Sequence, residues 1–91
     1  MELKWTSKAL SDLARLYEFP ASVNQPAAAR AVQSVIKAPA ALLMNPRIGE
    51  QLFEFEPREI RKILVGNYEL RYEIQESTIY VLRLWHTREH R

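Results

Sequence analysis

The feature that most constrains this chain is a run of three β-strand patterns joined by two-residue links. Residues 58–65, 68–75 and 78–85 alternate apolar with polar side chains, as strands with one buried face do. The links are Gly66-Asn67 and Glu76-Ser77, and a Gly-Asn pair readily supplies the positive φ that a tight hairpin turn needs. The sequence therefore predicts an antiparallel meander that delivers residues 85–91 to one edge of a sheet.

Counting outward from the two turns gives an expected register for the meander. The expected pairs are Val65–Tyr68, Ile63–Leu70, Arg61–Tyr72, Ile74–Ile79, Tyr72–Val81, Leu70–Arg83 and Tyr68–Trp85. One sheet face then carries most of the apolar side chains, Trp85 among them, and we expect it to face the core.

Two arginines, Arg61 and Arg83, fall on the expected core face. Either each reaches past the sheet rim or pairs with a helix carboxylate such as Glu18, or one of them lines a functional cleft. The opposite face carries apolar side chains at the sheet centre that need cover, which suggests a partner chain; they are Tyr80, Leu82 and Leu84.

The first half of the chain predicts a short strand and two helices. Residues 2–5 form a strand candidate, and Thr6 or Ser7 can cap the helix that follows. Pro20 ends that helix near Phe19. Its expected inward stripe is Leu10, Leu13, Ala14 and Tyr17.

Asn24 can cap a second helix, which either kinks at Pro39 or restarts there. Its stripe is Ala28, Val32, Val35 and Ile36, and residues 52–55 form one edge-strand candidate. The predicted fold is α+β, with an N-terminal strand and a helical hairpin packed on an antiparallel β-sheet, as a single domain over residues 1–91.

Composition narrows the setting and the partners. The chain has no cysteine, no apolar N-terminal leader and no segment of membrane-spanning length, so a cytoplasmic protein without membrane contact is expected. A net charge of +2 is low for a domain that binds DNA or RNA directly. We therefore expect no sequence-specific nucleic-acid binding by this chain.

The end of the chain carries the candidate chemistry: His86, Arg88, His90 and Arg91. The two histidines are four residues apart, but no third ligand is near, so no metal site is expected. Either histidine can act as a general acid or base, or both are solvated residues at a chain end. No phosphate loop, nucleotide fingerprint or Ser-His-Asp order is present, and no cofactor is expected.

Three segments carry a resemblance to a known family. They are Asn45-Pro-Arg-Ile-Gly-Glu50, the run from Ile60 to Ile74 that contains Tyr68-Glu-Leu-Arg-Tyr72, and the run from Ile79 to Glu89. Together with length and element order, they resemble the RelE/ParE superfamily of bacterial toxins. The resemblance implies two helices on an antiparallel sheet and membership of a type II toxin–antitoxin module, whose antitoxin wraps around the toxin.

The superfamily has two activities. RelE-like members cut mRNA on the ribosome, whereas ParE-like members are not nucleases and poison DNA gyrase. The nuclease branch typically has an arginine where this chain has Glu69, and a tyrosine beyond the last strand, which is missing before Arg91. Only His86 and Arg88 fit the nuclease pattern. We therefore expect a ParE-like gyrase inhibitor rather than an enzyme.

The sequence also offers candidate residues for these two roles: the cationic end of the chain, and apolar residues that lie off the inward stripes of the helices. Gyrase binding and toxicity are assigned to Trp85, His86, Arg88, His90 and Arg91, with Trp85 anchored on the sheet and the others exposed. Antitoxin binding is assigned to Leu16, Phe19, Val23 and Leu43, and the antitoxin is expected to be a ribbon-helix-helix DNA-binding protein in a hetero-oligomer with the toxin.

Two alternatives remain open. In a RelE-like ribosome-dependent mRNA endoribonuclease, His86 would be the acid or base, and Arg61, Arg83 or Arg88 would hold the phosphate. The other alternative is a decayed toxin that only engages an antitoxin.

Overall fold

The computed structural model describes residues 1–18 and 25–88 of the chain. Two α-helices, one 3₁₀-helix and five strands follow in the order β1 (Glu2–Trp5), α1 (Ser7–Glu18), α2 (Gln25–Leu42), β2 (Glu50–Gln51), the 3₁₀-helix (Phe53–Phe55), β3 (Glu59–Val65), β4 (Tyr68–Gln75) and β5 (Thr78–His86). The strands form one sheet in the order β1-β5-β4-β3-β2. The predicted α+β class is confirmed, and the sheet is mixed because β1 runs parallel to β5.

The helices cover one face of the sheet, called here the helix face. Its core consists of buried side chains from β4, β5 and both helices, namely Ala9, Leu16, Val32, Val35, Leu42, Tyr68, Leu70, Tyr72, Ile74, Ile79, Val81 and Leu84. The other face of the sheet is called the second face. None of the helices in residues 1–18 and 25–88 is long and apolar enough to cross a membrane.

The β3–β4 hairpin follows the register expected from its turn. Gly66 has φ = 60°, a left-handed conformation that glycine adopts without steric cost. The expected pairs are all present: Val65–Tyr68, Ile63–Leu70 and Arg61–Tyr72. The two-residue turn chemistry therefore predicted this hairpin correctly.

A β-bulge shifts the β4–β5 hairpin by one residue. The expected pairs Ile74–Ile79 and Tyr72–Val81 are present, but the register changes between Arg71 and Tyr72. Leu82 is the additional residue on β5. The expected pairs Leu70–Arg83 and Tyr68–Trp85 are wrong, and the observed pairs are Leu70–Leu84, Glu69–Trp85 and Tyr68–His86.

The bulge reverses the faces of the β5 side chains that follow it, because side chains alternate along a strand. Leu84 and His86 lie on the helix face, whereas Arg83 and Trp85 lie on the second face. The expected cover for Leu84 by a partner chain is thus unnecessary, since Leu84 is buried in this chain's own core.

Helix α1 begins where predicted, and of its expected inward residues Leu13 packs against the core. Thr6 is the N-cap: the Ala9 N–H donates to its Oγ1 at 3.1 Å. The expected inward residue Leu10 is 53% exposed, and among residues 7–16 of the helix the buried positions are Ala9, Asp12 and Leu16. The helix therefore turns the charged side chain of Asp12 inward, where it is 3% exposed.

The remaining expectations differ in detail. α2 continues through Pro39 to Leu42 without a restart, and its stripe residues Val32 and Val35 are buried as expected. The expected edge strand over residues 52–55 is wrong, because the edge strand is Glu50–Gln51 and residues 53–55 form the 3₁₀-helix. The expected cap Asn24 and the helix stop at Pro20 lie outside the described residues.

Candidate functional site

Asp12 joins α1 to the end of β5. β1 pairs with β5 only as far as Val81, so the edge of β5 beyond that point needs other partners. The Leu84 N–H donates to Asp12 Oδ2 at 2.9 Å, and Arg15 Nη2 donates to the Leu84 carbonyl oxygen at 3.1 Å. Two side chains of α1 therefore replace the main-chain bonds that a longer β1 would have supplied.

The Asp12 carboxylate also binds two arginines. Arg83 Nε lies 2.7 Å from Oδ2, and Arg15 Nη1 lies 2.8 Å from Oδ1. Burial raises the pKa of Asp12, but the hydrogen bonds from Arg83, the Leu84 N–H and Arg15 outweigh it and hold the pKa below its ordinary value. Arg83 is thus paired with a helix carboxylate, that of Asp12, and it lies on the second face.

Trp85 is buried on the second face beneath two guanidinium groups. Arg71 Cζ lies 4.9 Å from the Trp85 ring centroid, and Arg83 Cζ lies 5.8 Å from it. Arg71 also pairs with Glu69 at 3.2 Å. Trp85 is anchored on the sheet as expected, but on the second face.

Arg61 holds the loop before β2. Its Nη1 donates to the Gly49 carbonyl oxygen at 2.7 Å, and its Nε donates to Glu59 Oε2 at 2.9 Å. Glu59 accepts two further bonds from Arg47, and those bonds are the main reason that its pKa is lowered. The guanidinium group of Arg61 therefore has a structural role, because it joins β3 to the loop before β2.

His86 is not an exposed tail residue. It is 9% exposed, and its ring packs edge-on against Tyr68 with centroids 5.1 Å apart. Its Nδ1 accepts a hydrogen bond from the Arg88 N–H at 3.1 Å. The expected exposure of His86 is wrong because the bulge turns it to the helix face. Arg88 is exposed as expected, and His90 and Arg91 lie outside the described residues.

The four residues of the nuclease alternative are not gathered on one surface. Arg61 on β3 and His86 on β5 both lie on the helix face, but two strands apart in the sheet. Arg83 lies on the second face, and Arg88 follows the end of β5. Glu69, the position with reversed charge, is buried beside Arg71 on the second face.

The residues assigned to antitoxin binding differ in their exposure to solvent. Leu16 is 0% exposed in the core, so its assignment as a surface contact is wrong; the inward turn of Asp12 brings Leu16 with it. Leu43 is 38% exposed just after α2. Phe19 and Val23 lie outside the described residues. Other apolar residues in the described part of the chain are also exposed, among them Leu10, Met44, Ile48, Phe53 and Leu64.

The described part of the chain contains no cluster of side chains suited to bind a metal ion. Within residues 1–18 and 25–88, no three side chains of His, Asp or Glu lie together in a group that could hold an ion.

Comparison with known proteins matches the chain to a family model and to solved structures, one of which is described here. The family model described as the ParE toxin of the type II toxin–antitoxin system, parDE, matches residues 3–91. A solved structure described as the chromosomal ParDE TA system from P. aeruginosa is similar at a TM-score of 0.78 and 25% identity, over 94% of this chain and 95% of that chain. No curated protein sequence matches the chain.

Proposed function

Because the chain belongs to the ParE toxin family of type II toxin–antitoxin systems, we propose that it inhibits DNA gyrase and so blocks DNA replication. The match over residues 3–91 is the observation that carries the proposal. Gyrase acts on DNA in the cytoplasm, so that is where we place the protein. It acts by binding its target rather than by catalysis.

A toxin of such a system has a cognate antitoxin, and we propose a ribbon-helix-helix DNA-binding protein that forms a hetero-oligomer with this chain. The proposed contact is the apolar pair Leu43 and Met44, which follows α2 and is 38% and 89% exposed. An amphipathic segment of the antitoxin can bury both side chains.

The proposed gyrase contact is the cationic end of the chain, with Arg88, His90 and Arg91 as contacts. His86 and Trp85 support it from buried positions. The start of this segment is fixed, because the Thr87 N–H donates to the Asn67 carbonyl oxygen at 2.8 Å and His86 packs on Tyr68. A fixed origin lowers the ordering cost of binding, and a compact cationic patch orients the approach to a target that handles DNA.

The separation of the candidate cations favours gyrase binding over mRNA cleavage. A nuclease needs cations that converge on the developing charge of the scissile phosphate. Here Arg61 lies on the helix face beside Glu59 and Arg83 lies on the second face beside Asp12, so the two do not converge, and His86 is buried against Tyr68.

The decisive experiment compares two purified reactions. Freshly purified toxin is added to a gyrase supercoiling assay and to ribosomes programmed with a defined mRNA. Inhibition of supercoiling without cuts in the mRNA supports the proposal. A-site cleavage at the rate of an active interferase would replace it with the RelE-like alternative.

A matched pair of variants tests the proposed gyrase contact. We expect R88A/H90A/R91A to fold and to bind antitoxin but to lose gyrase inhibition. The control R30A/Q33A/K37A likewise removes two cationic side chains and one polar side chain, but from exposed positions of α2, and it should keep inhibition. Equal inhibition by both variants would place the gyrase contact elsewhere.

A second pair tests the antitoxin contact. We expect L43E/M44E to weaken antitoxin binding at least tenfold, by about 1.4 kcal/mol or more, because two apolar contacts become buried charges. The control L64E adds a charge at an exposed apolar site on β3 and should bind normally. Unchanged affinity of the double variant would refute the assignment.

A further inference from the structure

The second face of the sheet carries a groove of about 440 Å³ between the start of α1, the 3₁₀-helix and β5. Four cationic side chains line it, Lys8, Arg58, Arg71 and Arg83, and among the described residues no acidic side chain lines it. Its apolar lining includes Phe55, Ile60 and Leu82. Leu82 is the bulge residue, so the irregularity in β5 contributes directly to this surface.

The three arginines of the groove are held in place from behind. Arg58 forms two bonds to Glu73, at 3.0 and 2.8 Å, and Arg83 forms two bonds to Asp12. The carboxylates that hold the arginines are themselves buried, and they are Asp12, Glu69 and Glu73. A ligand in the groove therefore meets the guanidinium groups and not the carboxylates.

These guanidinium groups keep hydrogen-bonding capacity for a ligand. A guanidinium has five N–H donors. The bonds to carboxylates use two donors in Arg58, one in Arg71 and two in Arg83. The remaining N–H groups can donate to carboxylate and carbonyl oxygens of a ligand. The bonds to the buried carboxylates already hold the guanidinium groups in a fixed orientation.

Charge balance decides which class of anion fits. Three buried carboxylates offset most of the charge of the four lining cations, and one of the three, Asp12, also pairs with Arg15, so a small positive surplus remains. Affinity for a nucleic-acid backbone depends on unpaired positive charge, and this groove has little of it. A peptide uses the N–H donors for its carboxylates and carbonyl groups, and it can place apolar side chains against Phe55 and Leu82.

We propose that this groove binds an acidic segment of a partner protein, with glutamate or aspartate side chains on the arginines and apolar side chains on the lining. The site is separate from the proposed gyrase and antitoxin contacts, and it holds whether or not the chain inhibits gyrase.

The test measures fluorescence anisotropy of a labelled octapeptide of alternating glutamate and leucine, titrated with the full chain. We expect it to bind, and we expect peptides of alternating lysine and leucine, or of glutamate and serine, to bind at least tenfold more weakly. Equal binding of either control peptide would overturn the proposal. So would tighter binding of labelled oligothymidylate, or full displacement by millimolar inorganic phosphate.

Two charge-matched variants locate the peptide. K8E reverses one groove charge without leaving a buried carboxylate unpaired, and a glutamate in the first turn of α1 is compatible with the helix. We expect it to weaken peptide binding about tenfold, since an attraction becomes a repulsion. K37E makes the same change on an exposed part of α2 and should not alter binding. If K8E and K37E lose peptide affinity equally, the loss comes from the change in net charge and not from the groove, and the proposal is overturned.

Discussion

At the scale of single residues, Asp12 shows how a charged side chain can occupy a core position. It is 3% exposed, and each of its oxygens accepts charge-assisted hydrogen bonds. It also satisfies the Leu84 N–H, which would otherwise be an unpaired donor at the sheet edge. One carboxylate thus fixes the rotation of α1 and the end of β5 together.

D12N should therefore destabilise the protein. An amide keeps an acceptor but loses the charge and turns an NH2 group toward Arg83 or Arg15. We expect a loss of about 1–3 kcal/mol in the free energy of unfolding, measured by urea denaturation. The control E2Q removes an exposed pair, Lys4–Glu2 at 3.9 Å, and should change stability by less than about 0.5 kcal/mol. Similar values for the two variants would contradict this role of Asp12.

Gly49 is constrained by a close approach rather than by its backbone angle. A Cβ at this position would lie 2.6 Å from the Tyr72 hydroxyl and 2.8 Å from the Lys62 carbonyl oxygen. The Gly49 N–H also donates to the Tyr72 hydroxyl, which itself donates to the Pro46 carbonyl oxygen at 2.7 Å. Tyr72 thereby fastens the loop before β2 to the core.

We expect G49A to cost about 1–3 kcal/mol, because the new methyl group must displace both a core side chain and a strand carbonyl. Thermal denaturation monitored by circular dichroism measures the loss. G49A in a Y72F background keeps the clash with the Lys62 carbonyl oxygen, so the mutation should remain destabilising there. A G49A protein as stable as the parent would show that the strand moves freely.

At the scale of elements, the bulge in β5 determines which side chains reach each face. It lies where β1 ends and α1 begins. The Thr6 hydroxyl approaches the carbonyl oxygens of Val81 and Leu82 at 3.0 and 3.1 Å, and Asp12 takes the Leu84 N–H. The extra residue is thus held by contacts from the first helical segment.

Deleting Leu82 should be far more damaging than shortening its side chain. The deletion restores a regular strand and turns Leu84 and His86 away from the core. We expect the deletion variant to lose its cooperative unfolding transition, whereas L82A keeps the bulge and costs about 1 kcal/mol or less. Tryptophan fluorescence during urea titration distinguishes them. If the deletion variant unfolds cooperatively and is as stable as L82A, the bulge is not needed to direct Leu84 and His86 toward the core.

At the scale of the whole molecule, paired carboxylates tie the outer elements to the sheet. Asp12 fastens α1 to β5, Glu59 fastens the loop before β2, and Glu73 fastens the segment around Arg58. The pKa of Glu73 is lowered chiefly by its hydrogen bonds from Arg58, and those of Asp12 and Glu59 are lowered as well.

Stability should consequently fall in acid. A carboxylate whose pKa is lowered in the folded protein contributes its full stabilisation at pH values above its ordinary pKa, which is 3.8 for Asp12 and 4.5 for Glu59. Below those values the unfolded chain binds protons first, so the stabilisation is lost progressively as pH falls through the folded pKa. We expect a melting temperature that is level near neutral pH and declines below about pH 4.5.

D12N should show a shallower acid decline than the parent, because one of the three carboxylates no longer titrates. E2Q serves again as the control and should follow the parent curve. A melting temperature that rose in acid, or an identical slope in all three proteins, would refute the linkage to these pairs.

The sequence by itself determined the features whose causes are local. The positive φ of Gly66 and the two-residue link set the β3–β4 register, a capping residue at Thr6 or Ser7 marked the start of α1, and apolar spacing placed Val32 and Val35 on the inward side of α2. The similarity of three short segments to ParE-like toxins, together with the element order, was also readable, and the match over residues 3–91 agrees with it.

Only the tertiary structure decided how the candidate site is arranged. No local signal marks Leu82 as an extra residue, because the bulge depends on contacts with Thr6 and Asp12, which lie about 70 positions earlier in the chain. The same contacts turn Asp12 and Leu16 inward, place His86 on the helix face and put Arg83 over Trp85. Periodicity describes one element at a time, whereas the pairing of a buried charge is settled only when two distant elements meet.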